Sequence, residues 1–239
     1  MKRLMEWILP YIMGIYHKME KLTEKEKLAQ ENYFKKINLN VQRKAKKPVV
    51  IAMVGLIGSG KSHIADKIAL AISGVVLKAD DVRIELRKVH EKYEGTRKIT
   101  ENIAVELLDG GINVILDSDY IDDKKRASIR GKVKKTGAKI IFVRTLCDRD
   151  IMLERILEQK FEKSRDDFFG GASTKAKENT GVIVKLRELW RRTPQHYRWI
   201  NESGGKWVPR KLSFKHIVVN TDNIVSINGV LRTLGESLK

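Results

Sequence analysis

The chain has 239 residues, of which 42% are hydrophobic and four are proline, and its formal net charge is +18. That is enough apolar material for one α/β core of ordinary size with an appendage. A single cysteine, Cys147, excludes an intramolecular disulfide framework and a cysteine zinc cluster, and with no clean signal-peptide cleavage site the expected location is a reducing cytoplasm.

The charge is uneven: +7 over residues 1–47, −2 over 48–120 and +13 over 121–239. A basic leader and a basic C-terminal half attract polyanions, nucleic acid foremost. A solvated lysine-rich surface is the plainer alternative. The leader opens with the apolar stretch Leu4–Tyr16, which Glu6, Pro10 and Gly14 interrupt and which is shorter than the roughly 20 residues of a spanning helix. A membrane association is therefore not expected. A polar helical pattern runs to about Asn38, and the basic link Arg43–Pro48 leads into the first strand. Residues 1–47 are thus expected to form a helical extension that packs on the core first, with a partner or a membrane surface as alternatives, and 48–239 one domain.

The apolar run Val49–Val54 reads as a strand. It is followed by Gly55-Leu56-Ile57-Gly58-Ser59-Gly60-Lys61-Ser62, which fits the phosphate-binding pattern G-x-x-x-x-G-K-[ST], and by an amphipathic stretch from His63. A loop that wraps a polyphosphate must turn several N–H groups inward, which glycine permits at Gly55, Gly58 and Gly60. The helix N-terminus adds its dipole, Lys61 can reach the β- and γ-phosphates, and the Ser62 hydroxyl can ligate Mg²⁺.

Further strands are expected at Val75–Ala79, Ile112–Leu116, Ala138–Val143 and Phe214–Val219, with helices between. This alternation predicts a five-stranded, mostly parallel sheet covered on both faces. Polar groups follow the strands, where open parallel sheets bind ligands: Asp80-Asp81, then Asp117-Ser118-Asp119, then Thr221-Asp222. Asp117 could hold Mg²⁺ or cap a helix. Asp80 could take a proton from an attacking hydroxyl while Arg83, one turn on, holds a phosphate of the acceptor. The alternative makes Asp80 the cap of a helix over 81–91 and Arg83 a surface residue.

Residues 148–181 read as a helical lid carrying Arg149, Arg155, Lys160, Lys163 and Arg165. Arg155 is the best placed of these to meet developing phosphate charge. From Trp190 to Trp199 basic and aromatic residues interleave, as in surfaces that hold single-stranded nucleic acid. Trp190 and Tyr197 also recur at helical spacing with Leu186 and Leu189, which suits a core.

Gly58–Ser62, Asp80-Asp81-Val82-Arg83, the strand ending at Asp117 and the helix around Arg155 together resemble the P-loop kinases of the polynucleotide 5′-kinase and zeta-toxin type, an AAA-like ATP-binding family. The resemblance spans about residues 48–225. It implies a P-loop NTPase fold, ATP and Mg²⁺ as cofactors, Asp80 as general base, Arg83 on the acceptor phosphate and Arg155 on ATP. Two departures bear on the acceptor: His63 stands where the family usually has Thr, and Ser118-Asp119-Tyr120 replaces the usual Thr-Asn pair. The expected activity is transfer of the γ-phosphate of ATP to a hydroxyl, that of a nucleic-acid 5′ end first. Rivals are a small-metabolite or nucleotide-sugar kinase and a non-catalytic, ATP-switched nucleic-acid-binding protein.

Overall fold

A computed structural model describes residues 21–39, 44–158, 180–201, 204–222 and 229. The apolar leader stretch 4–16, the lid residues Lys160, Lys163 and Arg165, and the stretch 170–174 lie outside the described residues. Among the described residues no helix is long and apolar enough to cross a membrane.

The chain begins with helix α1 (Glu24–Phe34), opened by a capping box in which Thr23 and Glu26 satisfy each other's backbone N–H groups. Strand β1 (Val49–Val54) is apolar and buried at every position, as a central parallel strand covered on both faces must be. There follow α2 (Lys61–Ile72), β2 (Gly74–Lys78), α3 (Ala79–Lys88), α4 (Thr96–Asp109), β3 (Asn113–Asp117), α5 (Asp123–Thr136), β4 (Lys139–Leu146) and α6 (Arg149–Leu157). The described C-terminal part holds α7 (Thr180–His196), β5 (Tyr197–Ile200), β6 (Lys206–Pro209) and β7 (Ile217–Asn220).

Five strands form one sheet in the order β2-β3-β1-β4-β7, every pair parallel. The chain moves from β1 outward to β2, returns through β3, and then crosses to β4 on the other side. The reversal opens a crevice beyond the C-terminal ends of β1 and β3. Apolar layers lie on both faces. One gathers Leu86, Ile103, Leu116 and Tyr120 under α3, α4 and α5, and the other packs Ile64 and Ile68 of α2 against Ile51, Met53 and Val143.

Helix α1 belongs to the first layer through the buried side chains of Ala29 and Tyr33. The Tyr33 hydroxyl accepts from the Lys78 N–H at 3.0 Å, at the end of edge strand β2 and two residues before Asp80. Burial and the nearby Asp81 carboxylate push its phenol well above the usual range. Tyr33→Phe leaves that edge N–H without its acceptor. It is expected to lower stability by about 1 kcal/mol, read as a shift in the urea midpoint without change of slope.

The expected strands are present within one to three residues at most ends, with β4 extending to Leu146. The β5–β6 antiparallel hairpin was not expected. It turns through Gly204 and Gly205, both at positive φ.

Candidate functional site

Beyond β1 the backbone passes through Gly55–Gly60 into α2. Gly58 and Gly60 adopt φ of 79° and 76°, and a Cβ at Gly58 would stand 2.7 Å from the Met152 carbonyl oxygen. Glycine is therefore required at 58 by conformation and by the close approach of α6. Ser59 points inward: its hydroxyl donates to the Leu56 carbonyl at 2.6 Å, lies 2.7 Å from the Thr145 hydroxyl, and is buried. The Ser59 side chain thus braces the loop from behind. Lys61 Nζ donates to the Leu56 carbonyl at 2.9 Å across the loop.

The loop forms one wall of a cleft of about 670 Å³ that Lys61, Ser62, Asp80, Arg83, Asp117 and Arg155 also line. These six, drawn from four elements, were all singled out from sequence. The volume is in the range of small-molecule sites. A smaller hollow of about 470 Å³ lies at the β2 edge beside Tyr33 and Glu85, away from the glycine loop.

Asp117 ends β3 beneath the start of α2. Burial raises its carboxyl above the ordinary value, while Lys61 and a hydrogen bond with the Ser62 hydroxyl oppose the rise. A half-buried carboxylate beside a hydroxyl offers two hard oxygen donors, which suits Mg²⁺, an ion that keeps several waters and needs few protein ligands. Among the described residues no cluster of three or more acidic, His or Cys side chains could hold a metal by itself. Asp122, not Asp117, caps the next helix, α5, by accepting from the Lys125 N–H.

Asp80 lies in the first turn of α3 with Arg83 one turn on, and the N-cap is Lys78. The capping alternative for Asp80 therefore fails. Arg83 Nη1 donates to Asp80 Oδ1, joining the two candidates for base and phosphate ligand. Arg155 reaches back from α6 to the Gly58 carbonyl at 3.3 Å and the Thr221 carbonyl at 2.6 Å. Arg149, a weaker candidate from sequence, is not a cleft residue; its guanidinium lies over the Trp190 and Trp207 rings.

Two residues of the site were not singled out. Asp119 is buried and accepts from the Gly55 and Ile121 N–H groups at 3.2 and 3.1 Å, from Arg192 at 2.6 Å, and bonds His196 Nε2 at 3.0 Å. It thus fastens α7 to the first residue of the phosphate loop. Burial alone would raise its carboxyl, but the His196 bond and the charges of His196, Arg192 and Lys61 outweigh that and hold it at about 2, against 3.8 ordinarily. Lys125, the other, shares the cleft with Arg83 and Arg192. Burial and those two like charges lower its pKa, against the pull of Asp119. Three cations thus share one wall of the cleft, Arg83 paired with Asp80 and Arg192 with Asp119.

The Asp119 carboxyl ionises more readily in the native state than in the unfolded chain. The native state favours the ionised carboxylate, so its stabilisation is complete above about pH 4 and is lost as pH falls toward about 2. The contribution is on the order of 2 kcal/mol. In urea titrations, Asp119→Asn is expected to be less stable than wild type at pH 6, with the gap narrowing below about pH 4.

A family model described as an AAA domain matches residues 50–176, more than half of the chain. The chain belongs to this AAA-domain family. The matched span runs from β1 past α6 and includes the glycine loop, Asp80, Arg83, Asp117 and Arg155; α7 and the hairpin fall beyond it. Comparison with curated proteins gives no match. Among solved structures the chain is similar to a candidate kinase from Chloroflexus aurantiacus, at 15% identity and a TM-score of 0.55, covering 81% of this chain and 100% of that one. It is also similar to the APS kinase CysC of Mycobacterium tuberculosis in complex with AMPPNP and APS. That match has 16% identity and a TM-score of 0.50, over 79% of this chain and 98% of the other. Likeness at these identities establishes the fold, and the fold is that of the P-loop kinases.

Proposed function

We propose that this AAA-domain protein is an ATP- and Mg²⁺-dependent phosphotransferase whose acceptor is a hydroxyl on a phosphate-bearing molecule, in first place a nucleic-acid 5′ end. The observation that carries the reading is the meeting, in one cleft, of the glycine loop with Lys61 beyond β1 and the Asp80–Arg83 pair beyond the C-terminal end of β2. A nucleotide switch also needs the loop; the Asp80–Arg83 pair adds a group able to take a proton beside one able to hold an anion.

The residues fit the cofactors. The loop amides, the α2 N-terminus and Lys61 are suited to a triphosphate, with Lys61 exchanging the Leu56 carbonyl for phosphate oxygens. Ser62 and Asp117 are the oxygen donors for Mg²⁺, which when bound would neutralise charge on the β- and γ-phosphates. Arg155, already braced on the Gly58 carbonyl, is placed to meet charge building on the leaving group.

Asp80 then accepts the proton of the acceptor hydroxyl as its oxygen bonds to the γ-phosphorus and the bond to the bridging oxygen breaks. Arg83, released from Asp80, joins Lys125 and Arg192 on the acceptor's own phosphate. The +13 charge of residues 121–239 favours a polyanionic acceptor over a small metabolite. The single cysteine, buried Cys147, suits a cytoplasmic setting.

The test is a panel of acceptors incubated with γ-labelled ATP and Mg²⁺: 5′-hydroxyl DNA and RNA oligonucleotides, nucleoside monophosphates and sugar phosphates. Label on the oligonucleotides supports the reading. Label confined to a small acceptor overturns the nucleic-acid part and leaves a metabolite kinase.

A further inference from the structure

Three of the four tryptophans of the chain gather on one surface outside the cleft. Trp199 and Trp207 face each other across the β5–β6 hairpin, with ring centroids 5.5 Å apart in an edge-on arrangement. The Arg149 guanidinium, at the start of α6, lies 5.0 Å from the Trp207 ring centroid and 5.2 Å from that of Trp190 on α7. The result is a continuous ladder, Trp190–Arg149–Trp207–Trp199. Its two ends are open: Trp190 is 71% exposed and Trp199 50%. Tyr197, by contrast, is buried, so only one of the two aromatics at helical spacing joined the core.

The hairpin is shaped to present this ladder. A Cβ on Gly205, at φ 82°, would collide with the Trp199 ring, which lies across the turn. The indole N–H of Trp199 is held by Asn201 Oδ1 at 2.6 Å, fixing the ring plane. A packing role would cover such rings. Rigid, exposed indoles with a cation between them are instead a stacking platform.

The surroundings select the ligand. Residues 186–215 hold eight Lys and Arg against two Glu; exposed Arg187 lies one turn from Trp190 on α7, while Arg198 and Lys206, next to Trp199 and Trp207 in sequence, alternate to the other face of the hairpin. Apolar partners gain nothing from that charge, whereas a single strand offers bases to stack and phosphates to pair. On α7 the cleft-lining residues are Lys185, Glu188 and Arg192. Trp190 is turned about 200° from Glu188 around the helix axis, so the ladder and the phosphate loop lie on opposite sides of α7.

We infer that the Trp190–Arg149–Trp207–Trp199 ladder is a second nucleic-acid site, which binds single-stranded DNA or RNA by base stacking and holds the strand whose 5′ end enters the cleft. The inference rests on the nucleic-acid reading of the acceptor for its ligand class.

The test is binding of a fluorescently labelled 20-nucleotide oligo(dT) to the full chain without ATP, followed by anisotropy and by quenching of tryptophan emission. Wild type is compared with Trp190→Ala and Trp199→Ala. Each variant is expected to bind about tenfold more weakly at fixed salt and to show less quenching, with ATP binding and the thermal midpoint unchanged. Unchanged oligonucleotide affinity in both variants overturns the inference. So does a variant that binds normally but loses self-association in sedimentation, because the surface is then a protein contact. The two readings fail separately. Tryptophan-dependent binding without label transfer to any 5′ end sinks the kinase acceptor alone. Transfer with an oligonucleotide KM unchanged in both variants sinks the platform alone.

Discussion

Lys61→Ala is expected to cut phosphoryl transfer by about 10²–10³-fold, the cost typical of removing one preorganised donor from developing charge. The side chain donates to Leu56 across the loop, and its charge is felt at both Asp117 and Asp119. Its removal therefore takes away the cation nearest the phosphates and leaves the loop backbone in place. Ser59, Thr145 and Asp119 hold that backbone from behind. The stability of Lys61→Ala should accordingly stay close to wild type. The measurement is kcat and KM for ATP beside a urea curve. A large fall in stability would mean that the lysine is a structural brace.

Asp80→Asn is expected to lower kcat by about 10²–10⁴-fold, the usual contribution of a general base, while ATP affinity is retained. The carboxylate lies at the mouth of the cleft, on the first turn of α3, and its partner is Arg83 rather than a loop amide or Lys61. Neutralising it leaves the triphosphate cradle untouched. It also frees Arg83 from its ion pair, so KM for a phosphate-bearing acceptor should hold or fall. A loss in kcat alone is the signature of an interaction needed only in the transition state. Equal losses in ATP binding would place Asp80 in the nucleotide site instead.

How much of this was legible in the sequence depended on how local each signal was. The strand, loop and helix around Gly55–Ser62 declare themselves because their residue types answer to backbone constraints within eight positions. Asp80, Arg83 and Asp117 follow from their places at strand ends. Asp119 was visible as a strand-end residue, but its function was not, since His196 and Arg192 come from α7, more than 70 residues later. Lys125 likewise joins Arg83 and Arg192 only through the fold.

The hairpin is a different kind of miss. Tyr197-Arg198-Trp199-Ile200 and Lys206-Trp207-Val208-Pro209 around Gly204-Gly205 carry the signals of two short strands and a turn. The 3.6-residue spacing of Leu186, Leu189, Trp190 and Tyr197 competed with them, and α7 does run on to His196, with Pro194 in its last turn. One residue decides between the periods: Tyr197 is the first of β5 and packs with Leu189 and Met152.

The most direct test of the account is single-turnover transfer of labelled γ-phosphate from ATP to a 5′-hydroxyl oligonucleotide, with wild type and Asp80→Asn side by side at saturating ATP and Mg²⁺. Label is expected on the 5′ end with wild type, and at a rate at least about 10²-fold lower with Asp80→Asn. Tight ATP binding by both proteins with no transfer to any acceptor would contradict it, and would leave a nucleotide-switched binding protein.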